Sequence, residues 1–292
     1  MSAHTLLGHP MVTTKEQLIR PGLLDILSRG NLADPYFQNN LHTEIVGTSE
    51  GVQRATQLNA EGYGIISEFI HFSDYDGIVA VGQALHVPEF RKHPAVFPIA
   101  YHQYYDHLVQ LSALKFISRG HLMPIVTEDT MAIEKYQQMG LKLGDGVFPY
   151  LCLGAQALRE GGIVGFAPQG GRRNTLDIAQ ITPALSALLK LAIKNDYFKI
   201  AILTMGIDYK EIVHPADYRQ FREMKLGQYT PVVRYGRCTT LEELGFKPGL
   251  TSDALRERLN LTNIWGFYEL GSVAPWDYPS PGFDMSKQPD LS

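Results

Sequence analysis

A short apolar run that ends in polar residues constrains this chain most. Residues 65–70 are mainly β-branched and aromatic, with Ser67 and Glu68 as the two polar positions, and a Gly-Tyr-Gly segment precedes them. A run of this length and composition predicts a strand that is buried on both faces. Residues 77–85 are apolar and predict the start of a helix. A buried strand, a short turn and a helix are typical of an α/β sheet, which places its chemistry at the carboxyl ends of its strands.

Two residues with acid–base chemistry follow this strand. His71 comes directly after it, and Asp76 follows with four residues between them. Histidine is the side chain best suited to moving a proton near neutral pH, and a neighbouring carboxylate can fix its tautomer and stabilise its charged form. The same segment also fits a structural role, because Ser73 and Asp76 match a variant of the helix capping box. The spacing alone leaves a catalytic pair and a capped helix as open alternatives.

Composition bounds the class of protein. The chain has 292 residues, of which 45% are hydrophobic and 19% charged, as expected of a globular protein with one α/β domain and at most a small addition. The net charge of -4 argues against a general nucleic-acid binder. The two cysteines, Cys152 and Cys238, predict no disulfide framework and a cytoplasmic location. We expect no signal peptide and no membrane span, while peripheral membrane contact stays open.

The order of predicted elements favours an α/β fold. We expect a mixed, mostly parallel central sheet flanked by helices, with a small N-terminal helical segment. Residues 1–42 are predicted to form an arm and a helix, 43–270 the α/β domain, and 271–292 an irregular, proline-rich tail. Within the domain we predict strands at 43–47, 65–70, 163–167, 199–207 and 232–235, helices at 49–59, 77–85, 101–114, 133–139, 150–160, 184–194 and 252–260, a loop at 87–98 and mixed structure at 115–126.

A loop rich in glycine and arginine is the second chemical feature. The predicted strand at 163–167 continues as Pro-Gln-Gly-Gly-Arg-Arg-Asn, which contains Gly170, Gly171, Arg172 and Arg173. Glycines let backbone amides approach a ligand closely, and arginine makes bidentate contacts to phosphate. An ordinary surface turn with two solvated arginines is an equally weighted alternative.

Together these segments resemble the glycerolipid acyltransferases, the superfamily that includes glycerol-3-phosphate and 1-acylglycerol-3-phosphate acyltransferases. Their first block ends in Asn-His-x-Ser-x-x-Asp, where this chain has Ile-His-Phe-Ser-Asp-Tyr-Asp over 70–76. Their third block, Phe-Pro-Glu-Gly-Thr-Arg-Ser, corresponds to Phe-Ala-Pro-Gln-Gly-Gly-Arg over 166–172, a form closer to the soluble plastid-type glycerol-3-phosphate acyltransferases. Their fourth block is similar to the apolar segment 200–207. The resemblance covers about residues 43–210.

This chain departs from the family pattern at three places. Ile70 stands where the family has Asn, and Gln169 stands where it usually has Glu. The second block is ambiguous, because Phe-Ile-Ser-Arg ending at Arg119 fits it by pattern, while Arg-Gly-His over 119–121 and Thr-Glu-Asp over 127–129 are alternatives.

The resemblance implies the transfer of a fatty acyl group from a thioester, acyl-CoA or acyl carrier protein, to the hydroxyl of glycerol 3-phosphate or a lysophospholipid. It implies that His71, held by Asp76, removes the hydroxyl proton, with Ser73 in the same motif. No metal and no bound cofactor are implied.

The resemblance also implies how the substrates are held. Arg172 would bind the acceptor phosphate, assisted by Arg173 or Arg119, and the turn at Gly170 and Gly171 would lie near the tetrahedral oxyanion. An acidic carrier protein would need a basic landing surface, for which the candidates are Arg91, Lys92 and His93.

Two other functions remain open at this point. His71, Asp74 and Asp76 could be metal ligands of a hydrolase, since histidine and carboxylates bind divalent ions. The departures at Ile70 and Gln169 could instead mark a lipid- or phospholipid-binding protein that kept the fold without the catalysis.

Overall fold

The computed structural model describes residues 44–46, 50–69, 76–87, 89–101, 121–126, 133–168, 183–193, 198–211, 229–247, 249–251 and 253–259. Its strands are β1 (Glu44–Val46), β2 (Gly64–Phe69), β3 (Ala95–Ala100), β4 (His121–Ile125), β5 (Ile163–Phe166), β6 (Ile200–Tyr209) and β7 (Pro231–Thr240). Its helices are α1 (Glu50–Ala60), α2 (Asp76–His86), α3 (Ile133–Gln138), α4 (Val147–Arg159), α5 (Ala184–Ala192) and α6 (253–259), and a 3-10 turn spans Phe90–Lys92.

The strands form one mixed, mostly parallel sheet. Its seven strands lie in the order β1-β7-β6-β2-β5-β3-β4. The strands from β6 to β4 in this order are all parallel to their neighbours, β7 is antiparallel to β6, and β1 is parallel to β7. The predicted α/β fold with a mixed, mostly parallel sheet and flanking helices is therefore confirmed for the described part of the chain.

Strand β2 is the centre of this sheet. All six of its residues are buried, and it pairs with β6 on one side and β5 on the other. In the register, Glu68 lies between Thr204 of β6 and Phe166 of β5. A parallel strand in this position is covered on both faces, which explains why the sequence of β2 is a nearly continuous apolar run and does not alternate with polar residues.

Helices cover both faces of the sheet. On one face, Ile66, Val164 and Ile202 belong to an apolar cluster with residues of α4 and α5. On the other face, Gly51 of α1 lies against the backbone of Gly236 in β7 and near Leu203 of β6. Burying an apolar side chain of this size contributes about 1.5–3 kcal/mol, so the first cluster is a major source of stability.

Two strands were missed by the sequence prediction. The predicted loop at 87–98 is wrong, because it contains the 3-10 turn and the first four residues of β3. The region 115–126 contains β4, which the sequence did not separate from its surroundings. Each of the two strands contains a proline, which weakens the local sequence signal of a strand. Pro98 lies past the two residues, Ala95 and Val96, that pair β3 with β5, and Pro124 lies on the edge strand β4, where a missing amide is tolerated.

The ends of other helices and strands differ from their predicted positions by a few residues. Helix α4 begins at Val147, ahead of the predicted start at residue 150, β6 continues to Tyr209 beyond residue 207, and β7 spans 231–240 where only 232–235 was predicted. The N-terminal arm and helix, residues 102–114 of a predicted helix and the C-terminal tail lie outside the described residues.

The start of β2 allows no side chain larger than hydrogen. A Cβ atom on Gly64 would lie 2.3 Å from the carbonyl oxygen of Leu158 and 2.6 Å from its Cα, both backbone atoms at the end of α4. We expect Gly64→Ala to lower the free energy of unfolding by about 1–3 kcal/mol, because the strand and helix must separate. Urea unfolding followed by circular dichroism measures this change.

Gly77→Ala is the matched control for this prediction. Gly77 lies in α2, and a Cβ there meets no atom of the described residues within 4 Å. We expect this variant to be as stable as the wild type or more stable by up to about 1 kcal/mol, since alanine is the better helix former. Equal stability of the two variants would contradict the tight packing at Gly64.

Candidate active site

The two sequence motifs follow neighbouring strands. In the sequence, His71 comes two residues after Phe69, the last residue of β2, and Gly170 comes four residues after Phe166, the last residue of β5. The two strands are parallel and directly paired. Both motifs therefore begin at the same end of the sheet, at adjacent positions. We call this end, where the parallel strands have their carboxyl ends, the carboxyl edge.

Most predicted site residues are outside the described part of the chain. This applies to His71, Ser73, Arg119, Gly170, Gly171, Arg172 and Arg173, and to Asp74 of the alternative metal site. Their predicted roles stay predictions. Asp76 is the predicted site residue that the structure describes.

Asp76 is a buried carboxylate held by a tyrosine. It is the first residue of α2 and has no solvent-accessible surface. The hydroxyl of Tyr209, the last residue of β6, donates a hydrogen bond to Asp76 Oδ1 over 2.5 Å. This length is typical of a charge-assisted bond from a hydroxyl to a carboxylate. The first turn of a helix also favours a negative charge.

Strand pairing brings Tyr209 to Asp76. Strand β6 runs parallel to β2, with Met205 opposite Phe69, so β6 extends four residues past the end of β2. Side chains alternate along a strand, so Tyr209 lies on the same face as Leu203, which is the face covered by α1. The sequence prediction missed Tyr209 because it ended β6 at residue 207. The continued alternation of Ile207, Asp208 and Tyr209 is the signal that could have extended it.

The three buried carboxylates of the described residues lie near this edge. Glu68 and Asp76 are 0% exposed and Asp208 is 2% exposed. Glu68 is the penultimate residue of β2, and Asp208 the penultimate residue of β6. A buried carboxylate costs stability even when it is paired, so these positions are candidates for a functional role. Glu68 and Asp208 lie on the face covered by α4, whereas Tyr209, the partner of Asp76, lies on the face covered by α1.

Polar side chains lie near Glu68 and Asp208 on the face of the sheet that α4 covers. The Arg234 guanidinium of β7 donates to Asp208 Oδ2 over 2.9 Å. On the face covered by α4, the Tyr150 hydroxyl donates to the backbone oxygen of Gly165 over 2.5 Å. Burial raises the pKa of the Tyr150 hydroxyl well above its usual range, and the charge of Glu68 raises it further, so this hydroxyl stays a neutral donor.

The residues predicted to bind an acidic carrier protein lie opposite the carboxyl edge, at the amino ends of the parallel strands. Arg91 and Lys92 are in the 3-10 turn, and His93 follows it, two residues before the start of β3. Glu89 accepts a bond from Lys92 Nζ over 2.5 Å and lies 3.8 Å from His93 Nε2. Burial, aided by Lys92, lowers the pKa of His93 despite Glu89. This position, opposite the carboxyl edge, gives no support to a carrier-binding role beside the motifs.

The described residues contain no group of three or more histidine, cysteine, aspartate or glutamate side chains that could hold a metal ion. Two of the three ligands of the alternative hydrolase site, His71 and Asp74, are outside this part of the chain. In the same part of the chain, no helix is long and apolar enough to cross a membrane.

No protein-family model matches this chain, and no curated protein matches it. The structure defines an α/β protein whose mixed, mostly parallel sheet carries buried carboxylates near its carboxyl edge.

The two cysteines differ in their surroundings. Cys152 is exposed on α4, whereas Cys238 is buried on β7. Burial raises the pKa of the Cys238 thiol to about 12, with Glu243 adding to the increase and Arg54 opposing it. At pH 8 only about one in 10,000 molecules would carry a Cys238 thiolate, and the thiolate is the reactive form.

We therefore expect iodoacetamide at pH 8 to alkylate one cysteine in the folded protein and both in urea. Peptide mass spectrometry identifies the site as Cys152. In Cys152→Ser the folded protein should stay unmodified over the same time. Rapid alkylation of Cys238 in that folded variant would contradict the burial of its thiol.

Proposed function

We propose that this chain is an acyltransferase of the glycerolipid acyltransferase type, with the corresponding fold. It moves a fatty acyl group from acyl-CoA or acyl carrier protein to the hydroxyl of glycerol 3-phosphate or a lysophospholipid. The observation that carries this proposal is the parallel pairing of β2 with β5, because the two motifs that resemble the family follow these two strands. Function in such sheets is built from the loops at the carboxyl ends of the strands.

The number of residues between each strand and its motif allows the two motifs to lie close together. The chain from Phe69 to His71 can span at most about 7 Å, and from Phe166 to Gly170 at most about 14 Å. The ends of the two strands are neighbours, with Glu68 opposite Phe166. An acceptor molecule of glycerol phosphate size can therefore contact both motifs at once.

In the proposed reaction His71 acts as general base. One ring nitrogen takes the proton of the acceptor hydroxyl while that oxygen attacks the thioester carbonyl carbon. The tetrahedral intermediate collapses, the carbon–sulfur bond breaks, and the imidazolium returns the proton to the leaving sulfur, which departs as a thiol. The Asp76 carboxylate orients the imidazole and stabilises its charged form. Charges balance in this scheme without a metal or a redox cofactor.

The glycine–arginine loop supplies the remaining contacts in this proposal. Arg172 binds the acceptor phosphate through paired hydrogen bonds, with Arg173 or Arg119 assisting. A backbone amide of the turn at Gly170 and Gly171 stabilises the oxyanion. Glutamine at position 169 keeps a polar side chain where the family usually has an acid.

Replacing the proposed base tests the reaction. The purified protein is incubated with a long-chain acyl-CoA, and separately with acyl carrier protein, with glycerol 3-phosphate or a lysophosphatidate as acceptor. We expect acceptor-dependent thiol release in the wild type and at least a 1,000-fold lower rate in His71→Ala, since general-base catalysis and the reaction geometry are both lost. Mass spectrometry of the acylated product names the acceptor.

His93→Ala is the matched control, because it removes a histidine at the opposite edge of the sheet. With acyl-CoA as the donor, this variant should retain the wild-type rate. A folded wild-type protein that releases no thiol with any acceptor would refute the proposal and favour a lipid-binding protein without catalysis.

The proposed phosphate-binding role of Arg172 predicts a change in the KM for the acceptor. We expect Arg172→Ala to raise the KM for the phosphorylated acceptor about 10- to 100-fold, because a charge-assisted contact contributes about 1.5–3 kcal/mol. The KM for acyl-CoA should change little. Arg256→Ala, which removes an exposed arginine from α6, serves as the control. Equal effects of Arg172→Ala on both KM values would refute the role in acceptor binding.

A further inference from the structure

We propose that Tyr209 is a positioning residue for the reaction, acting through the carboxylate of Asp76. The inference rests on the proposed acyl transfer, because it concerns the partner of His71. The sequence motifs do not contain Tyr209, since it lies 133 positions from Asp76 and ends a different strand, β6. The structure alone brings the two side chains together.

The hydrogen bond restricts the carboxylate. Tyr209 donates to Oδ1 over 2.5 Å, and both side chains are almost completely buried, at 2% exposure for Tyr209 and 0% for Asp76. A carboxylate that is held through one oxygen has its plane and the direction of its second oxygen fixed. An imidazole that bonds to such a carboxylate is held in one tautomer and one orientation, which general-base catalysis requires.

Tyr209 connects the central sheet to Asp76. Its backbone belongs to β6, which is paired with β2 from Gly64 to Phe69. Asp76 begins α2, the next helix after β2. The bond therefore joins the start of α2, five positions after His71 in the sequence, to a strand of the central sheet.

A purely structural bond is the alternative, and a double-mutant cycle separates the two. We expect Tyr209→Phe to lower kcat about 10-fold and to change the acceptor KM less than about 2-fold, because the ring is retained and only the hydroxyl is lost. In an Asp76→Asn background, where kcat is already low, the same change should have less than a 2-fold effect. Residues that act as one unit show such non-additivity.

Asn59→Ala is the matched control. It removes a buried side chain that donates hydrogen bonds to the backbone oxygens of Tyr63 and Gly161 over 2.9 and 2.7 Å, before the starts of β2 and β5 and opposite the carboxyl edge. It should lose at least as much thermal stability as Tyr209→Phe, while its kcat stays within 2-fold of the wild type. Comparison of the two variants removes the general effect of a lost buried hydrogen bond.

The outcomes distinguish this inference from the proposed function. A wild-type protein with no activity overturns both. An active wild type with normal kcat in Tyr209→Phe overturns the inference alone, as does a 10-fold effect of that variant that persists in the Asp76→Asn background. If Tyr209→Phe does not fold, 3-fluorotyrosine at position 209, which keeps the ring and makes the hydroxyl more acidic, should change kcat at least 2-fold. No change with fluorotyrosine would overturn the inference.

Discussion

The structure depends on the placement of β2 between β5 and β6. This strand is buried along its whole length, and its backbone groups can be satisfied only by strands on both sides. The parallel direction of all three strands collects their carboxyl ends at one edge. The ends of β2, β5 and β6 are therefore neighbours, so the residues that follow β2 and the glycine–arginine sequence that follows β5 begin at adjacent positions although they are far apart in the sequence.

Buried charge distinguishes this edge from the rest of the described protein. Glu68, Asp76 and Asp208 are withdrawn from water there, and Tyr209 and Arg234 donate hydrogen bonds to two of them. Apolar residues of the same volume would often stabilise a fold as well or better. The arrangement is more easily explained by chemistry that needs oriented carboxylates than by stability, and the acyl-transfer proposal gives one of them, Asp76, a specific task.

The sequence predicted the parts of the fold that rest on local patterns. The buried strand predicted at 65–70, the helix that follows it and the α/β class came from apolar runs and capping residues. The structure confirms the helix and the class, and it has the strand at Gly64–Phe69. Strands β3 and β4 were missed because prolines weaken the local signal of a strand, whereas a position past a short ladder or on a sheet edge tolerates them. Neither position can be recognised before the strand order is known.

For the site, the sequence by itself determined the residue types with the right chemistry: a histidine and an aspartate after one strand, and two glycines and two arginines after another. Only the tertiary structure decided that these strands are neighbours, that Tyr209 bonds to Asp76, and that the basic residues at 91–93 lie at the opposite edge. The physical reason is that hydrogen-bonded pairing of parallel strands joins residues about 100 or more positions apart, and such pairing depends on the burial of the whole sheet and not on any local pattern.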